Sequence, residues 1–444
     1  MERVHLVSLG CPKNRVDSEV MVGKLRSGPF ELVDSPDGAD VIVVNTCSFI
    51  RPATEESIET VLEMAEFKKS GACKKLVVTG CMVQRYGASL ETEFPEVDHF
   101  LGTGEYHRID EVLKAREGAA ARSYVDTPLY IHDELAPRIH SWSAHSAYLK
   151  LSEGCDHRCA FCIIPQLRGK MRSRSVASLV TEARNLAAQG VVELNLVSQD
   201  STAYGRDLGD GSDLGTLLRA LGRVDGLRWI RLHYVYPLGV PEGALRAIAE
   251  EERVVKYLDM PLQHASGRML KAMRRGVSRE GQEKILHRVR SLVPDIAVRT
   301  TFIVGFPGET DADFAELLDF VKAERFDRVG VFTYCQEDGT PAATLGAQVD
   351  EETKLARQKT LMQAQAKISR EKNRKLVGKE DVVLVDGPSK ESELIFVGRL
   401  ATQAPDVDGH VYLNEAPEDI AAGQFRRVRI ARATAHDLVA DVLE

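Results

Sequence analysis

The sequence lacks any apolar stretch long enough to cross a membrane. None of its apolar runs reaches about 18 residues, the length that favours a transmembrane helix. Its first residues, MERVHLVSLGC, also lack the length and charge pattern of a secretory signal, and they are more typical of a strand. We therefore expect a cytoplasmic protein that does not associate with membranes.

Cysteine and positive charge are both scarce. Eight cysteines in a chain of 444 residues are too few for a disulfide scaffold. In a reducing compartment, cysteines that lie close together more often bind metal or take part in chemistry. The formal net charge of -8 argues against a general nucleic-acid binder and favours a basic partner.

Alternating β-branched runs and helical patterns indicate an α/β protein with several domains. The length alone predicts about three domains. We place the boundaries at 1–118, 119–146, 147–377 and 378–444. In that order we expect an N-terminal parallel-sheet α/β domain, a linker, a partial (β/α)6 barrel with a trailing helix, and a small antiparallel β-barrel.

Three predicted strands of the N-terminal domain each end in a cysteine. The strands VHLVSLG, DVIVVNT and KKLVVTG are followed by Cys11, Cys47 and Cys81, which we call the first triad. Because ligands of parallel sheets lie outside the carboxyl ends of the strands, these thiols are expected to meet at one edge. Cys73 lies at the start of its strand, about 26 Å from that edge at about 3.3 Å per residue. We assign Cys73 no ligand role.

Three further cysteines lie within one short loop. In EGCDHRCAFCIIPQLRG, Cys155, Cys159 and Cys162 form what we call the second triad, after the first predicted strand of the barrel. Structural zinc needs four closed ligands, and a redox pair needs only two cysteines, so neither alternative suits three thiols. A four-iron cluster held by three thiolates would keep one iron open, and the loop would direct that position into the barrel mouth.

The spacing CxxxCxxC, with Phe161 before the last cysteine, resembles the radical S-adenosylmethionine superfamily. In that superfamily the cofactor's methionine moiety chelates the fourth iron, and the reduced cluster cleaves the cofactor to a radical that abstracts hydrogen. The resemblance implies a 4Fe-4S cluster on the second triad, S-adenosyl-L-methionine as cofactor, and no catalytic residues beyond the cluster ligands. TFIVGFPGE resembles the family's cofactor wall, and the expected cofactor contacts are Phe161, Gln199, Gly305 and Glu309. Loop packing for Phe161 and a bare strand-end turn for TFIVGFPGE are the alternatives.

The whole chain resembles the methylthiotransferase family, which joins a three-cysteine domain, a radical barrel and a TRAM-type β-barrel. The resemblance implies a second 4Fe-4S cluster on the first triad, which donates sulfur. SLGCPKNRVDSE, GCDHRCAFCIIPQLRGKMRSR and LDMPLQHASGRMLKAMRR resemble the RimO-type branch, which converts an aspartate of small-subunit ribosomal protein S-twelve to 3-methylthioaspartate. The MiaB-type branch modifies an adenosine of transfer RNA and typically has another tripeptide in place of Pro12, Lys13 and Asn14. An electron donor such as flavodoxin or ferredoxin is also implied.

Two other functions remain open: a transfer-RNA methylthiotransferase and a non-enzymatic, metal-containing nucleic-acid binder. The segment from Lys379 to Glu444 contains thirteen acidic and seven basic residues. This net charge of -6 favours a basic ribosomal protein over RNA as the partner. Asp406 and Asp408 are candidates for docking that partner, with solvated turn residues as the alternative. Gln403 departs from the branch pattern, which is usually acidic there.

Two features stay without an assigned role. The basic residues just beyond the second triad suit a phosphate, the cofactor carboxylate, the target aspartate or ribosomal RNA; they are Arg168, Lys170, Arg172 and Arg174. Direct RNA binding is therefore possible but not favoured. Cys335 ends the sixth predicted barrel strand, where we expect a structural cysteine rather than a sulfur-handling one.

Overall fold

The computed structural model describes residues 1–115, 121–414 and 416–443. These residues form two parallel six-stranded sheets followed by a closed five-stranded barrel, which confirms the expected fold class. The predicted boundary between 118 and 119 lies outside the described residues. Among the described helices, none combines the length and apolar character needed to span a bilayer.

The N-terminal sheet is parallel throughout, in the order β2-β1-β3-β4-β5-β6. Its strands are β1 (Glu2–Ser8), β2 (Phe30–Leu32), β3 (Val41–Thr46), β4 (Lys75–Gly80), β5 (His99–Leu101) and β6 (Ser123–Tyr124). Its helices are α1 (Pro12–Arg26), α2 (Arg51–Ser70), α3 (Cys81–Tyr86), α4 (Ser89–Glu93) and α5 (Ile109–Lys114), with a 3-10 turn at Tyr106–Arg108. The β-branched strand β3 is buried along its whole length, as expected for a strand with helices on both faces.

The segment predicted as a linker is packed rather than free. Its residues Ser123–Tyr124 form β6, which pairs in parallel with β5. Farther along, the buried Arg138 donates to Glu19 of α1 at 2.6 Å and also to Glu182 of the central domain. A buried cation between two carboxylates is strongly disfavoured if either side is lost, so this segment ties the first two domains together.

The central sheet has the parallel order β14-β13-β12-β11-β10-β7 and is open on one side. Its strands are β7 (Ser146–Lys150), β10 (Glu193–Val197), β11 (Trp229–Leu232), β12 (Val254–Asp259), β13 (Ala297–Val304) and β14 (Arg328–Thr333), while β8 (Ser152–Glu153) and β9 (Arg172–Ser173) form a separate ribbon. The α-helices are α6 (Ile164–Arg168), α7 (Val176–Ala188), α8 (Leu214–Gly222), α9 (Glu242–Glu250), α10 (Gly267–Ala272), α11 (Arg279–Leu292), α12 (Asp311–Glu324) and α13 (Glu351–Arg374). Short 3-10 turns occur at Ser201–Ala203 and Pro341–Thr344. The predicted fourth strand began at Tyr257, whereas β12 begins three residues earlier, because the exposed Lys256 interrupts an otherwise buried run.

The C-terminal domain is a closed barrel with the order β15-β16-β17-β19-β18. Its strands are β15 (Glu380–Ser389), β16 (Ser392–Leu400), β17 (Val411–Asn414), β18 (Phe425–Ala433) and β19 (Leu438–Val442). Most neighbouring strands are antiparallel, as predicted, but β17 and β19 pair in parallel.

The C-terminal barrel packs directly on the central sheet. Arg399 of β16 is fully buried and donates to Glu193 of β10 at 2.7 Å, and Arg231 of β11 donates to the same carboxylate at 3.1 Å. Tyr257 donates its hydroxyl to Asp408 at 2.9 Å. The interior of the central sheet is therefore completed by side chains from the last domain.

Candidate active site between two cysteine triads

The first triad lies at the carboxyl ends of three neighbouring strands. Cys11 caps α1, Cys47 follows β3, and Cys81 is the first residue of α3, directly after β4. Gly10 has φ +86, and a Cβ atom there would lie 2.7 Å from Cys47 Cβ. Only glycine permits this close approach of the two loops.

Burial raises the pKa of the Cys47 thiol to about 12, with Cys81 and Cys11 adding to the shift. Burial likewise raises the pKa of Cys81, although Arg168 opposes that effect. Thiols in such surroundings keep their protons until a metal displaces them. Loading this site with metal must therefore release protons.

The second triad is held by residues that follow β12. Arg275 donates to Cys159 Sγ at 3.3 Å, and its guanidinium lies 4.1 Å above the ring of Tyr236. The backbone N–H of Ala160 donates to Met273 at 2.9 Å. The motif loop therefore rests on the segment that ends at Arg275.

Burial raises the pKa of Cys155 to about 11 and that of Cys162 to about 12. Phe161, between the second and third thiols, is half-buried against an apolar cluster that includes Met273, Phe306 and Tyr334. This packing is the alternative that the sequence left open for Phe161. A role in binding the cofactor stays a prediction.

Arg168 connects the two triads. Its guanidinium donates to Cys81 Sγ at 3.4 Å and to Glu153 at 3.2 Å, two residues before Cys155. Cys81 also packs against Ile163, the residue after Cys162. The two groups of thiols therefore adjoin across one buried domain boundary.

The same boundary contains a compact set of paired charges. Arg168 donates to Asp17 of α1 at 2.6 Å. Lys150 of β7 donates to Asp17 and, at 2.7 Å, to Glu153. Burial raises the pKa of Glu153, but Lys150, Arg168 and the hydrogen bonds from Lys150 and Gln199 together lower it below its ordinary value. Two cations and two carboxylates therefore satisfy one another with little solvent.

Two glutamines at strand ends carry buried acceptors without a partner among the described residues. Gln199 donates its amide to Glu153 at 2.5 Å, but its Oε1 atom accepts nothing. Gln263 Oε1 is likewise unpartnered, and this residue has φ +72, a strained value outside glycine. Buried acceptors of this kind are expected to be satisfied by a bound ligand or water.

The TFIVGFPGE segment comprises the end of β13 and the turn that follows it. A Cβ atom on Gly305, which has φ +72, would lie 2.2 Å from Lys354, so the close approach there is to α13. The buried Glu309 accepts from the backbone of Gly305 and, at 3.1 Å, of Phe306. Burial raises the pKa of Glu309 to about 7. Their direct contact with a cofactor stays a prediction.

The basic residues beyond the second triad do not form one surface patch. Arg168 and Arg174 are buried, and Arg174 donates to Glu182. Arg172 is half-buried, and only Lys170 is exposed. These charges mostly stabilise the domain boundary.

The acidic docking candidates are also engaged within the chain. Asp406 accepts from Tyr148 at 3.2 Å, and the buried carboxylate of Asp408 accepts from Tyr257. The overall acidity of this domain therefore overstates the acidic surface that a partner would meet.

The remaining two cysteines, Cys73 and Cys335, form hydrogen bonds with residues outside the triads. Cys73 is buried in the core of the N-terminal sheet and donates to Lys75 at 3.3 Å. Cys335 donates to Glu337 at 3.0 Å, and Glu337 accepts from Arg85 at 2.7 Å across the same domain boundary. Neither has a triad cysteine among its recorded hydrogen-bond partners.

The donor set suits iron-sulfur clusters. All eight cysteines are free thiols. Within the described ranges, no group of three or more Cys, His, Asp or Glu side chains is arranged to hold a single metal ion. Cysteines on separate irons of a cluster lie farther apart than the about 3.8 Å between two sulfur ligands of one zinc ion. Three thiols per site suit a cluster that keeps one iron open.

Arg275 and Asp17 are site residues that the sequence reasoning did not single out. Arg275 ends the quoted stretch LDMPLQHASGRMLKAMRR, and Asp17 lies within SLGCPKNRVDSE. Both motifs were therefore visible. Nothing local indicated that Arg275 contacts a cysteine more than one hundred positions earlier in the chain, as the bond to Cys159 requires.

Comparisons with known families match each domain separately. Residues 3–102 match an uncharacterized protein family, UPF0004; residues 149–321 match the radical SAM superfamily; and residues 377–443 match the TRAM domain. Together with the parallel central sheet and the second triad, these matches define a radical S-adenosylmethionine enzyme.

Curated relatives match the chain over nearly its whole length. Ribosomal protein uS12 methylthiotransferase RimO from Anaeromyxobacter sp. (strain K) is 51% identical, covering 99% of this chain and 93% of its own. The protein of that name from Geobacter sulfurreducens is 47% identical, covering 100% and 99%. The chain belongs to the ribosomal protein uS12 methylthiotransferase RimO family, which confirms the family expected from the motifs.

Two solved structures share the fold at low identity. The radical S-adenosylmethionine methyltransferase TsrM from Kitasatospora setae has a TM-score of 0.55 at 17% identity, covering 77% of each chain. The cobalamin-dependent S-adenosylmethionine radical enzyme OxsB has a TM-score of 0.54 at 13% identity, covering 82% of this chain and 56% of its own. At these identities the likeness concerns the fold alone.

Proposed function

We propose that this protein methylthiolates an aspartate of ribosomal protein uS12 to give 3-methylthioaspartate. The observation that carries the proposal is the junction of the two triads, where Arg168 donates both to Cys81 and to Glu153 beside Cys155. Sulfur insertion needs a sulfur source close to the site where hydrogen is removed from carbon. Two adjoining sites, each with three thiols, meet that requirement.

In this proposal each triad holds one 4Fe-4S cluster, and the cluster on the second triad binds S-adenosyl-L-methionine. When bound, these groups supply the electron, the hydrogen abstraction, the sulfur atom and the methyl group of the reaction. The protein's own contribution is to bind, orient and shield them. Cys47, Cys81 and Cys159 are buried, and this partial shielding of both triads limits the access of water to the reacting carbon.

Arg275 and Arg168 act as positioning residues for the clusters. Each donates an N–H to one cysteine sulfur, in the second and the first triad respectively. Hydrogen bonds and positive charge beside cluster sulfurs raise the reduction potential of the cluster. Because Arg168 is also bound to Asp17, it keeps α1 and the first triad in register with the second domain.

The cofactor wall in this proposal comprises Phe161, Gln199, Gly305 and Glu309. Gln199 supplies the clearest polar contact, because its Oε1 atom is buried without a partner among the described residues. Phe161 supplies an apolar face beside the thiols. Gly305 and Glu309 shape the turn after β13, joined by the bond from Gly305 N–H to the Glu309 carboxylate.

The substrate suggests the protein's partners and its compartment. We infer a cytoplasmic location, where ribosomal protein uS12 is assembled, and an electron donor such as flavodoxin or ferredoxin. Direct RNA binding is not favoured. The strand that carries most basic residues of the C-terminal barrel pairs Arg427 and Arg429 with Glu380, at 2.9 and 2.6 Å, which reduces the charge available to phosphates.

Mass spectrometry of small-subunit ribosomal proteins and of transfer RNA, from a strain lacking the gene, tests the function. We expect the methylthio group to disappear from one aspartate of uS12 and to return with the wild-type gene but not with Cys47→Ala. Loss of a methylthio group from transfer RNA, with uS12 unchanged, would establish the alternative function instead.

A further inference from the structure

Lys13, the second residue of α1, is a buried cation with an unusual environment. Only 9% of the Lys13 surface is exposed to solvent. Among the described residues, no carboxylate lies within ion-pair distance of its ammonium. The Nζ atom instead lies 3.5 Å from the centroid of the Tyr234 ring. A cation on an aromatic face is attracted to it. Burial lowers the pKa of Lys13, but Tyr234, Cys11 and Glu153 together raise it, so the lysine stays charged without a paired carboxylate among the described residues.

Other buried cations at this boundary are neutralised. Lys150 and Arg168 each contact both Asp17 and Glu153. Leaving a buried charge without a counter-ion is costly, and proteins normally avoid it. Because no carboxylate among the described residues pairs with Lys13, a ligand that brings a negative charge to this position would be stabilised there.

The ring beneath Lys13 is held by a strained backbone. Tyr234 has φ +58, a left-handed value that is rare for a non-glycine residue. Its carbonyl accepts from Ser201 at 3.0 Å. Strain of this kind persists where the surrounding structure enforces it, often at ligand sites. Tyr234 follows β11 at the carboxyl edge, so Lys13 reaches from the first domain to the barrel mouth.

The position of Lys13 also suits the reacting atoms. It lies two residues after Cys11 of the first triad and contacts a residue at the mouth of the barrel that carries the second triad. In 3-methylthioaspartate the modified carbon is bonded directly to the side-chain carboxylate carbon, at about 1.5 Å. A cation that binds this carboxylate would therefore locate the reacting carbon.

We propose that Lys13 binds the side-chain carboxylate of the target aspartate and makes the site selective for an anionic substrate over a neutral one. The proposal rests on the proposed function and adds the residue that recognises the substrate. A site built around an unpaired charge rejects a ligand that lacks the matching charge, since the buried cation would then stay uncompensated.

A double-mutant cycle between enzyme and substrate tests this assignment. The modified aspartate of uS12 is first located by mass spectrometry and then changed to asparagine. Binding of both uS12 forms is measured by anaerobic calorimetry with reconstituted wild-type enzyme, Lys13→Met and Lys13→Arg. We expect wild type to bind the asparagine form at least tenfold more weakly, a coupling of about 1.4 kcal/mol. Lys13→Met should bind both forms equally, and Lys13→Arg should retain part of the preference.

Arg26→Met is the matched control, because it removes an exposed cation from the same helix. It should keep the full preference for the aspartate form. Iron content and melting temperature show whether each variant is loaded and folded.

Equal loss of affinity for both uS12 forms in Lys13→Met would overturn the proposal and assign Lys13 to domain bracing or to the first cluster. Equal binding of both forms by the wild-type enzyme would overturn it without any variant. Failure of the proposed function would give another result: the wild-type enzyme would then leave uS12 without a methylthio group.

Discussion

The two triads that we propose as cluster sites are assembled in different ways. The cysteines of the first triad lie 36 and 34 positions apart and are brought together only because β1, β3 and β4 are neighbours in one sheet. The second triad spans one loop and needs the sheet only for its orientation. A dispersed site depends on the whole domain, whereas a local one depends on the residues that support its loop.

The difference extends to the arginine at each site. Arg275 supports the second triad from within the same domain, whereas Arg168 reaches the first triad from another domain. We therefore expect the first site to be sensitive to domain arrangement and the second to local packing. The following experiments test that contrast, beginning with the largest expected effect.

Removing one cysteine from each triad should separate the two halves of the reaction. Cys159→Ala should abolish cleavage of S-adenosylmethionine, whereas Cys47→Ala should spare cleavage and abolish methylthiolation. Each variant should lose roughly half of its iron, because one of two clusters is lost. Deoxyadenosine is measured by chromatography and the product by mass spectrometry. Methylthiolation by Cys47→Ala would show that the sulfur-donor assignment is wrong.

Weakening the contact between the C-terminal barrel and the central sheet should destabilise the central domain more than the N-terminal domain. Arg399→Met leaves Glu193 with only part of its compensation, and breaking a buried ion pair costs about 3 to 5 kcal/mol. We expect lower thermal stability and faster hydrogen exchange in β10 and β11 than in β3. Arg432→Met, an exposed position in the same barrel, is the control. Equal stability of the two variants would contradict a structural role for this interface.

Replacing either arginine with a neutral residue should change the reduction potential of one cluster only. Arg275→Met removes a donor from the second triad, and Arg168→Met removes one from the first. Each should lower the potential of its own cluster by on the order of tens of millivolts, since positive charge and hydrogen bonds stabilise the reduced state. Electron paramagnetic resonance during redox titration measures both signals.

The variants Arg275→Lys and Arg168→Lys should shift the reduction potential less than the methionine variants do. Lysine keeps the positive charge but lacks the planar guanidinium. Lys170→Met serves as the control, since Lys170 is exposed beside Arg168's helix. A shift of both clusters in either arginine variant would mean that the sites are not separable in this way.

A pH dependence is expected from the turn after β13. The pKa of Glu309 is about 7 in the folded protein, against an ordinary 4.5. Between these two values Glu309 is protonated in the folded state and ionised in the unfolded state. The free energy of unfolding therefore falls by about 2 kcal/mol as the pH rises from about 5 to 8. Glu309→Gln should flatten this part of the profile, measured by denaturant unfolding at several pH values. An unchanged slope would show that another group titrates.

The smallest effect is expected at Cys73. Cys73→Ala should cost about 1 kcal/mol through lost core packing, with full iron content and activity. Iron analysis and denaturation together provide the test. Loss of one cluster in this variant would contradict the strand direction that separates Cys73 from the first triad.

Much of the architecture was predictable because its signals are local. Strand β3 is a continuous β-branched run, and the second triad is a spacing within one loop, so neither needs distant information. The family followed from motifs of the same kind. The short strands β2, β5 and β6 escaped prediction, since two or three residues carry no period.

The roles of the charged residues were not predictable. The sequence placed Arg168 in a basic cluster and Asp408 on a docking surface, but both side chains are buried in contacts with other domains. Charge composition cannot distinguish a solvated surface from a paired interior, because both contain the same residues. The contacts of Arg138 with Glu19 and Glu182 were not predictable for the same reason.

By itself, then, the sequence determined the order of domains, the two triads and the family, because spacing along the chain carries those properties. Only the tertiary structure decided that the triads adjoin and that Arg168 joins them. It also decided that Lys13 lies buried on Tyr234, with no carboxylate paired to it in the part of the chain that the structure describes. Such relations depend on which distant residues meet when the domains pack. The cost of burying a charge depends on those partners rather than on the residue alone.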